Sequence, residues 1–167
     1  MIQVYTGNGK GKTTAALGLA LRASGAGLNV YIGQFAKGGC YSEIKALKKI
    51  GNIKVEQFGR RCFIKKDPES IDIEMAKRGL KKIKKAIEGK RYQMVIMDEI
   101  NIALKLKLVT LDELLVLIKS APRKLELVLT GRYAHPKIIK LADLVSHIQE
   151  KKHYYTKGVK ARRGIEF

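Results

Sequence analysis

This sequence predicts an α/β fold, a mainly parallel sheet with helices on both faces. Two observations predict it. Short apolar runs rich in Val and Ile alternate with longer segments of helical period through all 167 residues, and strands separated by helices pair in parallel because each connection crosses back over the sheet. The second is a glycine-rich stretch, Gly7-Asn8-Gly9-Lys10-Gly11-Lys12-Thr13-Thr14, between the first strand-like run and an Ala-rich segment. That is the strand–loop–helix order of a phosphate-binding loop. The length suits one domain over 1–167, large enough to bury a core without disulfide or metal staples.

Taken in order, strands are expected near 2–6, 28–35, 52–57, 92–97, 125–130 and 143–148, with a last one near 162–166. The first helix follows the glycine-rich loop. The segment from Gly59 to Asp67 reads as the longest loop, where a substrate-facing element is expected. A helix over 68–88 has Asp67 as a candidate cap, Pro68 at its first position, and Ala76, Leu80, Ile83 and Ile87 as an apolar stripe. Its opposite face carries Lys77, Arg78, Lys81, Lys82, Lys84 and Lys85. That run reads as a solvated face, because no aromatic residues are interleaved for base stacking. Thr110-Leu111-Asp112-Glu113 has capping-box spacing and opens another helix, and Pro136 marks one more start.

Composition narrows the class further. Hydrophobic residues at 46% and charged residues at 29% are globular usage and exclude a disordered, collagenous or disulfide-framework chain. The longest apolar stretch, Ala15 to Leu21, is far short of the ~20 residues that span a bilayer. The first residues show no leader pattern, and Cys40 and Cys62 belong to no CxxC pair, so reduced thiols in a cytoplasm are expected. A net charge of +19 implies attraction to anions without saying which.

The chemistry concentrates in two segments. In the loop, glycines Gly7, Gly9 and Gly11 let backbone amides converge on phosphate, Lys12 brings a mobile positive charge, and Thr13 can offer its hydroxyl to Mg²⁺. The usual GxxxxGK spacing would put glycine at position 6, where this chain has Thr6. The second segment, Gln93-Met94-Val95-Ile96-Met97-Asp98-Glu99, is an apolar strand ending in two carboxylates. It is expected to lie beside the first strand and aim Asp98 and Glu99 at the metal.

Longer segments narrow the reading. YTGNGKGKTTAALGLALRASGAGLNVYIGQFAKG, MDEINIAL, LTGRYAHPKIIKLADLVSHI and KKHYYTKGVKARRGIEF resemble, in order and spacing, the ATP:corrinoid adenosyltransferase family of cobalamin synthesis. Gln34-Phe35 followed by Lys37-Gly38, the turn Thr130-Gly131-Arg132, Ala142 to Val145 and the tail Gly158 to Glu166 carry more of the likeness than the loop does. The resemblance implies a RecA-like P-loop NTPase fold, a homodimer, and ATP and a corrinoid as substrates. It implies attack of Co(I) on C5′ of the ribose with triphosphate leaving, in adenosylcobalamin synthesis or salvage. Matching positions imply that Gly7, Asn8, Gly9, Lys10, Gly11, Lys12 and Thr13 hold the phosphates, that Thr14 assists, and that Thr13 and Glu99 serve Mg²⁺. Lys12, Thr13 and Glu99 are thus the catalytic candidates, with Asp98 joining the metal set. Arg132 is a substrate or phosphate contact or a partner of Asp143. Family members often carry a tryptophan after the third strand, where this chain has Arg61-Cys62-Phe63-Ile64 and no tryptophan at all.

Displacement at carbon by Co(I) takes no proton from the nucleophile, so no general base is required. Phe58, Phe63 and Tyr41 are candidates for a wall that excludes water, or for ordinary core packing. His135 reads as a helix cap, His147 and His153 as structural or surface residues. The rival is a basic RecA-like ATPase binding nucleic acid; it explains the charge but lacks an aromatic-basic binding element. An acidic flavoprotein is the expected electron donor, because opposite charge speeds encounter.

Overall fold

The computed structural model describes residues 1–39, 41–60, 64 and 67–167. Its strands are β1 (Ile2–Thr6), β2 (Val30–Phe35), β3 (Ile53–Phe58), β4 (Met94–Asp98), β5 (Glu126–Thr130) and β6 (Leu144–His147). They form one sheet in the order β3-β2-β4-β5-β1-β6, and every pairing is parallel. The helices are α1 (Lys12–Gly25), α2 (Ser42–Leu47), α3 (Ser70–Glu88), α4 (Ile100–Lys105), α5 (Leu111–Lys119) and α6 (Pro136–Leu141).

Alternation along the central strands divides the core in two. Val30, Ile32, Met94, Ile96 and Val128 face α1 and α2, meeting Ala16, Ala20, Ala23 and Leu47. Tyr31, Phe35, Val95, Met97, Leu127 and Leu129 face the other way, onto Ile83 and Ile87 of α3, Ile100 of α4, Leu114 and Ile118 of α5 and Ile138 of α6. Period-2 side chains buried on both sides are what a parallel sheet between two helical layers demands. The small residues of α1 recur at helical spacing and let that helix lie close over β4. Gly79 does the same for α3, since a Cβ there would lie 2.7 Å from the Phe58 ring.

Three expectations are corrected. The strand carrying Asp98 is not beside the first strand: β5 lies between β1 and β4. The helix expected from residue 68 starts at Ser70, with Glu69 as its cap and Asp72 closing a capping box; Asp72 accepts from the Glu69 amide at 3.0 Å. This pair satisfies end amides that Asp67 cannot reach. Arg162–Glu166 is not a strand. Gly164 there has φ 77, and the Arg162 amide donates to the Glu166 carboxylate at 2.7 Å, so the backbone curls on itself instead of extending. Thr110 and His135 do cap α5 and α6, accepting from the Glu113 and Lys137 amides.

Candidate active site

The phosphate loop leaves the end of β1 and enters α1 with Lys12. Gly11, the residue before the helix, has φ 117, a conformation open to glycine and costly for other residues. Gly7 (φ 101) and Gly9 have a second reason to lack side chains. A Cβ on Gly7 would run into the carbonyl of Ile148, and one on Gly9 would lie 2.8 Å from the Gln149 carbonyl carbon. The chain leaving β6 passes directly over the loop, and the Gly9 amide donates to Ile148 O at 2.9 Å. Thr6, which replaces the expected glycine, is buried and accepts from the Ala134 amide at 3.3 Å. The shifted glycine spacing thus follows from what crosses the loop.

The basic side chains of the loop are divided in their partners. Lys12 is buried and donates to Gly9 O at 2.5 Å; burial lowers its pKa, with Arg132 and Lys37 adding to the effect and Glu99 and Asp98 opposing it. Lys10 turns to the C-terminal tail, where it meets Glu166 at 2.7 Å and the Tyr154 hydroxyl at 2.5 Å. Tyr154 also bonds Glu166, and Lys10, Tyr154 and Arg162 hold the Glu166 carboxylate well below its usual pKa, the Lys10 bond first among the causes. Asn8 spends its side-chain oxygen on the Glu150 amide at 3.2 Å.

Opposite the loop stand the two acids. Asp98 is fully buried and has a hydrogen bond for each lone pair. Its Oδ1 accepts from Thr13 at 2.9 Å and Thr130 at 2.6 Å; its Oδ2 accepts from Gln34 at 3.1 Å and the Lys37 ammonium at 3.1 Å. A carboxylate has about four such acceptor positions, so in this arrangement Asp98 is fully used in orienting Thr13, Thr130, Gln34 and Lys37. Glu99 is freer: among the described residues its one ion pair is with Lys37 at 3.7 Å. Its backbone is left-handed, φ 57, held there by the Thr130 hydroxyl, which accepts its amide at 2.9 Å. Burial raises the Glu99 pKa, with Asp98 adding and Lys37, Lys12 and Arg132 opposing.

Thr130, Gln34 and Lys37 are named in the sequence for the family likeness alone and given no role at the site. Thr130 ends β5, the strand placed between the two motif strands. Gln34 is the one polar side chain in the wholly buried β2, and its register partner is Asp98; a glutamine inside an apolar strand was the available signal. Lys37 follows Ala36, whose φ of 52 turns the chain back over the site. Burial alone would lower its pKa, but Asp98 and Glu99 outweigh it and hold the ammonium charged.

The other sequence candidates are sorted by the fold. Lys10, Gly11, Lys12, Thr13, Thr14, Glu99 and Arg132 line one cavity of about 1050 Å³. Its apolar lining is built from Leu17, Leu21, Ala46, Ile50, Ile102 and Leu106. Tyr41 lines it too, whereas Phe58 is core, 1% exposed and packed on Phe35. Arg132 does not bond Asp143, which accepts from the Ile2 amide at 2.6 Å. Phe63, Cys62, Arg61 and Cys40 lie outside the described residues. Thr13 and Glu99 fit a hard divalent ion that keeps waters and phosphates as its other ligands; the positive charge already resting between them, the Lys37 ammonium, marks a cation position. Among the described residues no group of three or more His, Cys, Asp or Glu side chains forms an all-protein metal cage.

The family model described as ATP:corrinoid adenosyltransferase BtuR/CobO/CobP matches residues 1–167. A corrinoid adenosyltransferase of Sinorhizobium sp. is 34% identical over 100% of this chain and 80% of its own length. An uncharacterized protein of Nostoc sp. (strain PCC 7120) is also 34% identical over 99% of the chain, which spans 48% of that longer protein. A crystal structure of a KaiC-like protein from Pyrococcus horikoshii OT3 shares the fold, with TM-score 0.57 at 19% identity over 90% of this chain and 74% of that one.

Proposed function

This chain belongs to the ATP:corrinoid adenosyltransferase family, transferases that adenosylate corrinoids with ATP, and we propose that it carries the 5′-deoxyadenosyl group to Co(I) in the cavity between the phosphate loop and β4. The observation that carries the reading is what lines that cavity. Its lining joins Lys12, Thr13 and the loop to aliphatic side chains, and its volume of about 1050 Å³ is just above the roughly 300–1000 Å³ common for ligand sites.

The Co(I) electron pair forms the bond to C5′, the C5′–O bond breaks, and its electrons leave with triphosphate. What the protein must stabilise is charge growing on the leaving group. Lys12, on leaving Gly9 O, and the loop amides other than that of Gly9, which is spent on Ile148 O, would stabilise it from a largely preformed site. Mg²⁺, when bound, supplies further positive charge to the phosphate oxygens. Thr13 and Glu99 would hold that ion; Asp98 accepts from the Thr13 hydroxyl and so orients it. Arg132 and Thr14, which line the same cavity, complete the phosphate contacts. The apolar wall of Leu17, Ile50 and Ile102 keeps water from a strongly reducing nucleophile.

A homodimer acting in the cytoplasm, with an acidic flavoprotein as reductant, completes the reading. The exposed Lys and Arg side chains of α3 and the +19 charge support an acidic partner. The described residues contain no helix long and apolar enough to cross a membrane. The decisive experiment is anaerobic mixing of protein, Mg-ATP and chemically reduced Co(I) corrinoid. A light-sensitive adenosylcorrinoid with one equivalent of triphosphate is expected; unchanged Co(I) beside bound ATP, or ADP as product, refutes the reading.

A further inference from the structure

Lys37 stands where a metal ion is expected. Its ammonium lies 3.3 Å from the Thr13 hydroxyl, 3.1 Å from Asp98 Oδ2 and 3.7 Å from Glu99 Oε1, the same three residues that the motifs assign to the divalent cation. We propose that Lys37 is a resident counter-ion: it holds the cation position of the nucleotide-free protein, yields it to the arriving metal, and moves onto the triphosphate. The proposal rests on the reading that this cavity takes a metal–triphosphate.

Three features of the site lead there. Asp98 and Glu99 are adjacent acids, the first with a fully buried side chain and the second with one 21% exposed, and two neighbouring carboxylates out of water repel unless a cation sits between them. Lys12 cannot be that cation, because its ammonium is turned to Gly9 O. A lysine suits a temporary tenant. Its hydrogen bonds are near 3 Å and its four-carbon stem is flexible, whereas Mg²⁺ pulls oxygens to about 2.0–2.1 Å and leaves no room for an ammonium on the same atoms.

The displaced charge has somewhere to go. Thr13 lies at the start of α1 beside Lys12, so an ammonium leaving the acids on the cavity side meets the phosphate loop's ligand next. The ring of Tyr41, its centroid 5.9 Å from Lys37 Nζ, lines the same cavity and offers the moving charge an aromatic face on the way. Lys37 would thus trade two carboxylates for phosphate oxygens as one positive charge is replaced by two.

The test uses neither corrinoid nor turnover, so its failure is separable from failure of the adenosyltransferase reading. Free Mn²⁺, counted by its EPR signal, is titrated with nucleotide-free wild type, Lys37→Met and Lys37→Arg. An opposite charge at this distance shifts an ionic equilibrium by a factor of about ten or more, so Lys37→Met is expected to bind Mn²⁺ at least about tenfold more tightly and Lys37→Arg to resemble wild type. With Mg²⁺ saturating, so that the cation position is filled in both proteins, inorganic tripolyphosphate should bind Lys37→Met about tenfold more weakly. Should the neutral variant fail to fold, the wild type carries its own measurement: the Lys37 ammonium, slow to exchange in its bonded state, is followed by NMR and should shift on addition of Mg-tripolyphosphate. Mn²⁺ affinity no higher in folded Lys37→Met, tripolyphosphate affinity unaltered, or an unmoved ammonium signal overturns the proposal.

Discussion

Replacing Thr130 with valine removes one oxygen and keeps the side chain's shape, so the cost is electrostatic and not a cavity. That hydroxyl donates to buried Asp98 at 2.6 Å and accepts the Glu99 amide at 2.9 Å. Loss of a hydrogen bond to a charged group costs ~1.5–3 kcal/mol, and an orphaned buried donor adds ~1–3 kcal/mol. The two overlap, because Asp98 keeps Thr13, Gln34 and Lys37 and the Glu99 amide is only partly buried. A net loss of about 3 kcal/mol is expected, or roughly 6–12 °C in Tm for a chain of this size. The assay is urea unfolding followed by circular dichroism, with the midpoint falling at unchanged slope. Thr130→Ser, which retains the oxygen, should stay within about 1 kcal/mol of wild type. A Thr130→Val protein within about 0.5 kcal/mol of wild type would refute the argument that this hydroxyl ties β5 to the acids of β4.

Two further outcomes are expected. Gly7→Ala places a Cβ against the Ile148 carbonyl at φ 101; it should cost about 1–3 kcal/mol of stability and weaken tripolyphosphate binding, both measurable on one purified variant, and unimpaired binding would show that the loop adjusts without its glycine. Arg60 braces Asp72 through bonds at 2.7 and 2.8 Å, and that bond, the leading cause, holds the Asp72 pKa below the ordinary carboxylate value. A depressed carboxylate contributes stability above its unfolded-state pKa and loses it as pH falls through the folded one, so the Tm gap between wild type and Arg60→Met should narrow as pH drops from about 5 toward 2; a constant gap contradicts it.

Legibility followed sequence distance. The phosphate loop is contiguous, its glycines, lysine and threonine within eight residues of each other, and the helix that follows it is begun by those same residues. Local order was therefore enough to read Lys12 and Thr13. The caps of α5 and α6 were legible for the same reason. Gly59 to Asp67 was read as a loop, and much of it lies outside the described residues. The start of α3 was misjudged by two residues because Glu69 and Asp72 cap reciprocally, and the brace that holds both acids, Arg60, lies at the start of that loop, nine residues before Glu69.

By itself the sequence determined the α/β class, the phosphate loop, the acidic end of β4 and the family. Tertiary structure decided which strand lies where, and with it the partners of Asp98. Periodicity reports which face of a strand is buried, not which strand is its neighbour, since any apolar parallel strand satisfies the same pattern. Placing β5 between β1 and β4 brings Thr130 to Asp98 across 32 residues of sequence, and placing β2 on the other side brings Gln34 across 64. The tail's passage over Gly7 and Gly9 joins residues more than 140 apart in the same way. Each of these contacts exists only after the sheet has chosen its order, and that choice is made by packing two helical layers at once.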